Sequence, residues 1–574
     1  MFVPSIEQQN IISAPLAPLA VVACAGSGKT HTAIERLIYI REQLADSRSA
    51  VALLSFSNSA VNTFRQGYVN SGQAGLEKNR VTIETFDAFI TSNVLRPHTY
   101  RTMGCSNIPY LINGNEGFLN NDKYWFWYES GGKNYPVKTT ELHNIKVQTT
   151  AKAVTYYYEI HGNKKELNNG PKVFGELGKL GAYTHEFGKL WAIYTLVQQP
   201  NILRGLAKKY PHIIVDEAQD IGELHQELLE ILANAGVKVS LIGDPAQAIY
   251  QFAGADGSYL SDYNSSKKSI SHQLTRNYRS IPEILKVSNH LSGRKDKPEK
   301  NSEVNLGAFY LSYEPKNEAK LVKEFISKIE KHQLNLSTSA VVFRNHSGIE
   351  NLKTINPKIG QGRQKLLAQA TIERDLNKDY KQAFKKLTAC IVSLIENAED
   401  DLYSGIQRPY GNAKYQAIKL MLWHFLRDTN NGLPSGENKA KSEWQPTAKL
   451  RITALLAHIA TTHGYTIVDK LGNKLTKAEL NDEPLVDLTD LEKGASKGIR
   501  IDTVHQVKGE SLDALLYVAT KPNIEALLAG TTSEAGRIGY VAVTRAKYFF
   551  LLGIPKSALK ALKPGLDAAG FKAL

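Results

Sequence analysis

Ala23-Cys24-Ala25-Gly26-Ser27-Gly28-Lys29-Thr30 follows the apolar run Leu19-Ala20-Val21-Val22 and precedes a helical pattern from Thr32 to Tyr39. A short buried strand, a glycine-rich turn and a helix in that order make a P-loop, here with alanine in place of the first glycine. Gly26 and Gly28 let the backbone wrap closely, so the N–H groups of Ala25 through Gly28 point at phosphate oxygens. The helix N-terminus adds a dipole that favours an anion. In such a loop Lys29 reaches the β- and γ-phosphates of a nucleotide and the Thr30 hydroxyl ligates Mg²⁺. Cys24 reads as a small packing residue rather than a reactive thiol.

A P-loop needs a metal-ordering carboxylate from a neighbouring strand, and His212-Ile213-Ile214-Val215-Asp216-Glu217-Ala218-Gln219-Asp220 supplies it. Three β-branched residues ending in an acid pair predict a buried parallel strand with carboxylates at its C-terminal edge. Asp216 is placed to hold Mg²⁺ through its water shell, and Glu217 to take a proton from an attacking water. A further strand, Val237 to Ile242, leads into Gly243-Asp244 and on to Gly254-Ala255. Gln247 in that loop is a candidate sensor of the γ-phosphate. Tyr250 and Phe252 share a face if extended, as core aromatics or as a platform for bases, and spacing alone favours the core.

Composition narrows the class. The chain has 574 residues, 42% hydrophobic and 22% charged, enough for packed cores in three to four domain-sized units. No run of about 18 uncharged apolar residues occurs, so no membrane partner is expected. The first residues lack the basic flank of a leader, and Pro15 and Pro18 interrupt the apolar stretch. Three scattered cysteines exclude a disulfide scaffold and a four-cysteine metal site, and point to a reducing cytoplasm. A net charge of +14 favours a polyanion partner only mildly.

The ordered set of motifs resembles a superfamily 1 helicase of the UvrD/Rep/PcrA type. It comprises Ile6-Glu7-Gln8-Gln9-Asn10, the P-loop, Leu54-Ser55-Phe56-Ser57-Asn58-Ser59-Ala60, Thr85-Phe86-Asp87, Asp216 to Asp220 and Gly243 to Ala255. It continues with Asn277-Tyr278-Arg279-Ser280, Val341 to Arg344, Thr503 to Glu510 and Tyr540 to Lys547. The resemblance implies that Gln8 reads the adenine edge of ATP, Tyr278 stacks on the base and Glu510 holds the ribose. It implies that Gln247, Arg279 and Arg545 surround the γ-phosphate, the two arginines coming from the second RecA-like domain as fingers. It also implies that Ser57, Asn58, Thr85, Phe86, Tyr250, Phe252, Thr503 and His505 contact single-stranded DNA. For Tyr250 and Phe252 this reverses the preference for the core.

Four positions depart from the family: His31 after Thr30, Asp87 where a histidine is frequent, Arg276 before Asn-Tyr-Arg, and Glu510 one residue early. The stretch Thr85 to Pro97, with the modest length, resembles the short UvrD-like subunit of the Gabija anti-phage system, GajB. That resemblance implies a GajA-like partner, an OLD-family nuclease with Toprim and ABC-type ATPase parts, in a bacterial cytoplasm.

The expected fold class is α/β: two RecA-like P-loop NTPase domains, each with a mostly helical inserted subdomain. Domain 1A is expected over residues 1–92 and 186–274, with insert 1B over 93–185. Domain 2A is expected over 275–354 and 496–574, with insert 2B over 355–495. Insert 1B carries Tyr124-Trp125-Phe126-Trp127-Tyr128 and Tyr156-Tyr157-Tyr158, which suit either stacking or docking on the one hand, or a small core on the other. Insert 2B reads as helical over Lys365 to Glu399 and Tyr415 to Asp428, with a loop at 429–445. The expected activity is ATP-dependent DNA translocation or unwinding, 3′ to 5′ by resemblance, on single-stranded or tailed duplex DNA. The alternative is a regulatory ATPase that senses DNA or nucleotide for a nuclease and unwinds little. A passive binding module with a decayed site fits least. The residues show no nuclease constellation.

Overall fold

The structure is a computed structural model that describes residues 3–44, 48–72, 80–149, 153–160, 163–251, 254–314, 317–345, 348–349, 359–376, 378–399, 401–409, 412–486 and 499–574. The strand before the P-loop, Leu19–Ala23, lies inside a six-stranded parallel sheet. In spatial order the strands are Ile270–Leu274, Leu19–Ala23, Lys238–Gly243, His212–Val215, Val51–Ser55 and Val81–Thr85. Helices cover both faces, which is why the central strands are continuous apolar runs rather than alternating ones. Val21, Ile214 and Ile242 have no exposed surface. Val22 pairs with Gly243, Val215 with Leu54, and Ser55 with Thr85, so the carboxyl ends of five strands line one edge. After Leu19–Ala23 the chain crosses to the far side of the sheet, and this reversal of strand order opens a crevice at the P-loop.

A second six-stranded parallel sheet runs Arg500–Thr503, Ala340–Phe343, Leu512–Val518, Ala546–Pro555, Gly307–Tyr313 and Lys572–Ala573. Its long central strand is buried through Phe549–Leu552. The helix Glu534–Arg545 runs directly into that strand, so Arg545 sits at the sheet's edge. Two parallel sheets of this kind give the α/β, twofold RecA-like class expected from sequence.

By compactness the chain forms two units, Met1–Thr102 with Lys189–Ile349 and Ala495–Leu574, and Met103–Gly188 with Glu350–Gly494. Both large sheets belong to the first unit. In the second, residues 103–188 are richer in strand than the helical expectation. They hold an antiparallel hairpin, Trp127–Ser130 with Lys133–Pro136, and a ribbon of Lys146–Thr149, Val154–Ile160 and Asn163–Glu166. Gly131 and Gly132 both take positive φ in the hairpin turn, where a side chain would be strained. Phe126 packs on Phe187 at 5.5 Å and Tyr156 on Phe174 at 5.6 Å, so part of the aromatic block is core.

Residues 359–486 are helical: Gly362–Asp375, Tyr380–Val392, Leu402–Gln407, Ala413–Arg427 and Gln445–His463. The connecting loop ends sooner than 445, because a π-helical turn at Ala440–Trp444 buries Trp444 and runs into the next helix. No described helix is long and apolar enough to cross a membrane.

Candidate nucleotide site

The P-loop is closed by its own hydrogen bonds. Ser27 Oγ donates to Cys24 O at 2.9 Å and Lys29 Nζ to the same carbonyl at 3.3 Å. Gly26 and Gly28 have φ of 71° and 79°, the left-handed region that glycine enters without cost. Gln8 reaches the loop from a helix whose start it helps to build. Its Oε1 accepts from Ser5 N while Ser5 Oγ accepts from Gln8 N, a reciprocal cap. Its amide Nε2 then donates to Ser27 O at 3.1 Å. From the other flank Asn277 Nδ2 donates to Ala25 O at 2.7 Å and Tyr278 N to Gly26 O at 2.9 Å. The Tyr278 ring stays 40% exposed, as a stacking platform for a base must be.

A Cβ built on Gly26 would lie 2.4 Å from the Cβ of Arg279. Gly26→Ala therefore combines backbone strain with a clash against an immobile atom. The expected cost is about 1–3 kcal/mol. A lowered thermal midpoint together with at least about tenfold weaker nucleotide binding is the measurement that checks it.

The acid strand delivers Asp216 and Glu217 at its carboxyl end. Asp216 N donates to Leu54 O of the neighbouring strand, and the side chain is buried with Oδ1 lacking a hydrogen-bond partner. Burial pushes its carboxyl up to about 8, reinforced by the charge of Glu217. Glu217 has φ 54° and ψ 41°, rare for a side chain this long, and such strain gathers at functional positions. Burial works to raise the Glu217 carboxyl, but Lys29, Lys508, a hydrogen bond from Gln219 and Arg545 together hold it below its ordinary range. One acid is thus kept ionised beside another that resists ionisation. Gln219 supports both sides of this corner, donating to Glu217 and accepting from Asp244 N at 2.9 Å.

Opposite stand Gln247, Arg279 and Arg545. Gln247 Nε2 donates to buried Asp244 at 2.7 Å, and its Oε1 accepts from Arg545 Nη2. Arg279 Nη1 donates to Thr544 O at 2.9 Å. Burial, and then the neighbouring Arg545, bring the Arg279 guanidinium down to about 9. Nε of both arginines is buried without a hydrogen-bond partner. Two cations side by side with vacant donors, and a buried acid beside Glu217 with a vacant acceptor, are poorly satisfied by protein alone. An anion at the arginines and a cation at Asp216 would complete them, so the residues fit a nucleotide triphosphate with Mg²⁺. Among the described residues no cluster of three or more His, Cys, Asp or Glu side chains could hold a metal unaided. Thr30, Asp216 and phosphate oxygens would be an oxygen donor set of the kind Mg²⁺ takes.

Residues 5–126 and 121–268 match the N-terminal domain of the UvrD/REP helicases. That span holds Gln8, the P-loop, both acids and Gln247. Over 368 residues the chain is 25% identical to DNA helicase II of Haemophilus influenzae, covering 59% of this chain and 48% of that one. It is 23% identical over 370 residues to the putative ATP-dependent DNA helicase YjcD of Bacillus subtilis, covering 60% and 46%. It is 24% identical over 378 residues to the ATP-dependent DNA helicase PcrA of Staphylococcus epidermidis, covering 59% and 48%. The chain thus spans about half the length of the curated relatives it matches.

The motif residues given to strand contact divide by exposure. Ser57 and Asn58 are exposed, and the Ser57 hydroxyl caps the helix that follows. Thr85 caps the next short helix through Ala88 N. The ring of Phe86 is buried, stacked on Phe56 at 6.0 Å and edge-on to His225 at 4.7 Å. Its ring supports Phe56, which is partly exposed, from inside. Tyr250 is half-buried with its ring 5.7 Å from His505, whereas Thr503 is buried. Phe252 lies outside the described residues.

The four departures also have places. Asp87 Oδ1 is 3.1 Å from His225 Nε2, so the missing histidine is replaced by one from another helix. Arg276 pairs with Glu299 at 2.9 Å, and His31 is exposed. The Glu510 carboxylate is bonded by Arg500 at 2.7 Å, which leaves its backbone O, not its carboxylate, directed to Arg545. The structure adds residues that motif reading passed over: Asn277, whose Oδ1 accepts from Arg279 N and Ser280 N, and Gln219, Lys508 and Arg537. Asn277 and Gln219 stand inside the quoted motifs, but nothing in their local spacing announces these bonds.

Proposed function

We propose that this chain is a UvrD-like ATP-dependent DNA helicase or translocase. The observation that carries the reading is the set of buried, unsatisfied groups around the P-loop: Asp216 Oδ1, Arg279 Nε and Arg545 Nε. In this reading Gln8 and Tyr278 select the base. Lys29 and the loop amides of Ala25 through Gly28 hold the phosphates, and Glu217 takes the proton of the attacking water. Mg²⁺ held by Thr30 and Asp216 would neutralise phosphate charge when bound. Gln247, Arg279 and Arg545 stabilise charge on the γ-phosphate in the transition state.

Residues 1–92 with 186–274 and residues 275–354 with 496–574 are the two motor domains, with 93–185 and 355–495 as their inserts. Ser57, Asn58, Thr85, Phe86, Tyr250, Phe252, Thr503 and His505 are the strand-contact candidates, the buried ring of Phe86 acting from behind Phe56. Translocation 3′ to 5′ follows from the resemblance. A role in anti-phage defence beside an OLD-family nuclease rests on the stretch Thr85 to Pro97 and on chain length.

ATP hydrolysis by the purified protein, with and without single-stranded DNA, tests the reading, followed by strand displacement on 3′- and 5′-tailed duplexes. Stimulated hydrolysis that Lys29→Ala abolishes, with unwinding from the 3′ tail, is the expected result. Undiminished stimulated hydrolysis by Lys29→Ala would sink the assignment. Stimulated hydrolysis without unwinding favours a sensing ATPase that regulates a nuclease.

A further inference from the structure

The loop after Gln247 is held from the second-sheet side at Ala248, Ile249 and Gln251. Ala248 O accepts from Arg537 Nε at 2.5 Å. Ile249 O accepts from His505 Nε2 at 3.0 Å. Gln251 N donates to Glu534 Oε1 at 2.8 Å, and Gln251 Oε1 accepts from Arg537 Nη2 at 3.1 Å. Ala248 and Ile249 are fully buried, so these bonds form away from competing water. Tyr250, between them, has Lys508 Nζ 4.5 Å from its ring centroid, and that ammonium is bonded to both oxygens of Asp220 at 2.6 Å.

Glu534, Arg537 and Arg545 belong to one helix, Glu534–Arg545, whose residues from Gly536 onward are all buried. Eight residues separate Arg537 from Arg545, a rise of about 12 Å along a helix. One end of this strut grips the loop that presents Tyr250, and the other end places Arg545 against Gln247. The loop and the strut therefore touch twice, once at each side of Tyr250's neighbourhood.

We propose that Arg537 is a positioning residue, locking the 248–251 loop to the helix that carries Arg545 so that a DNA strand seated at Tyr250 sets Arg545 in the ATP site. This rests on the helicase reading above. The choice of arginine supports it. The guanidinium is nearly buried, and besides Ala248 and Gln251 it donates to Thr531 O and Thr532 O at 3.3 Å each. Four of its five N–H groups are thus used, all on neutral oxygens. A buried cation that Glu534 and Asp256 offset only at a distance is a costly way to fill space, and an apolar side chain of the same volume would stabilise a static contact better. What the fork provides is directional: it spans the end of its own loop and two points of the other element. Lysine, a single point charge, cannot span them.

Coupling of this kind is reciprocal for binding, since a strand that favours the closed arrangement must itself be bound more tightly when nucleotide favours it. The test compares wild type with Arg537→Met and Arg537→Lys in two assays. One reads ATP hydrolysis with and without an oligo-dT strand. The other reads the affinity for a labelled oligo-dT with and without a non-hydrolysable ATP analogue. The expected result is a basal rate and ATP KM within about threefold of wild type, with stimulation reduced at least about tenfold and the effect of nucleotide on strand affinity abolished. Arg537→Lys is expected to rescue little.

Equal stimulation in Arg537→Met and wild type overturns the proposal alone. So does equal loss of basal and stimulated rates in a folded variant, which would make Arg537 part of the hydrolytic site. A wild type that no strand stimulates removes the helicase reading and this proposal with it. Should Arg537→Met fail to fold, Glu534→Ala cuts the other bond to the same loop at a half-buried position and is held to the same outcomes.

Discussion

Glu217→Gln is expected to lower ATP hydrolysis about 10²- to 10⁴-fold while nucleotide binding stays within a few-fold of wild type. The substitution keeps the side chain's shape and one oxygen for Gln219, so the corner that carries Asp216 is not dismantled. It removes the one carboxylate that Lys29, Lys508 and Arg545 jointly keep ionised. No other group replaces it, because Asp216, raised by burial and by Glu217 itself, is the residue that would hold Mg²⁺, and burial takes Asp220 to about 7 while Lys508 occupies both its oxygens. The strained backbone at residue 217 is the same for Gln as for Glu, so it adds no cost. Lys29, Lys508, Gln219 and Arg545 favour the charged carboxylate in the folded protein, so its loss makes a slightly lower thermal midpoint at neutral pH the expected sign. Single-turnover hydrolysis beside equilibrium binding of a fluorescent nucleotide separates the two effects. A variant that hydrolyses ATP at the wild-type rate would remove Glu217 as the base. A variant that neither binds nor hydrolyses would make it a structural residue.

Local chemistry made part of this site legible in the sequence. A strand, two glycines and a lysine at fixed spacing have few other folds open to them, and neither does an apolar run ending in Asp-Glu. The parallel sheets follow from the same runs, since strands buried on both faces carry no alternation to misread. Features made by residues distant in the chain were not legible. Lys508 and Asp220 are 288 residues apart, and His225 and Asp87 are 138 apart, and no period or motif links either pair. Arg537 looks like one more charge in the first turns of a helix until the structure shows it buried against the 248–251 loop. Glu510, a ribose candidate by motif position, is bonded at one carboxylate oxygen by Arg500, ten residues upstream, and that bond was equally invisible to motif reading. The 103–188 insert hid its strands because five consecutive aromatics have no helix or strand period. Its hairpin was announced only by Gly131-Gly132.

Arg545→Lys is expected to reduce strand-stimulated ATP hydrolysis about 10³-fold or more, within the range that removal of an arginine finger produces. The argument is geometric rather than electrostatic, since lysine keeps the charge. Arg545 uses its guanidinium plane in three directions at once: Nη2 to Gln247 Oε1 and Thr544 Oγ1, Nη1 to Glu510 O, and a vacant Nε. A lysine ammonium can make the first contact or fill the vacancy, not both. Arg279 cannot substitute, because its Nη1 is held by Thr544 O, one residue before Arg545, and its own proton affinity is already lowered by burial and then by its neighbour. The two arginines therefore act as a unit. Arg279→Lys combined with Arg545→Lys should cost much less than the product of the single losses. Basal nucleotide affinity is expected to change little, because the P-loop amides, Lys29 and Gln8 remain. A double variant whose losses multiply would show instead that each arginine meets the γ-phosphate independently.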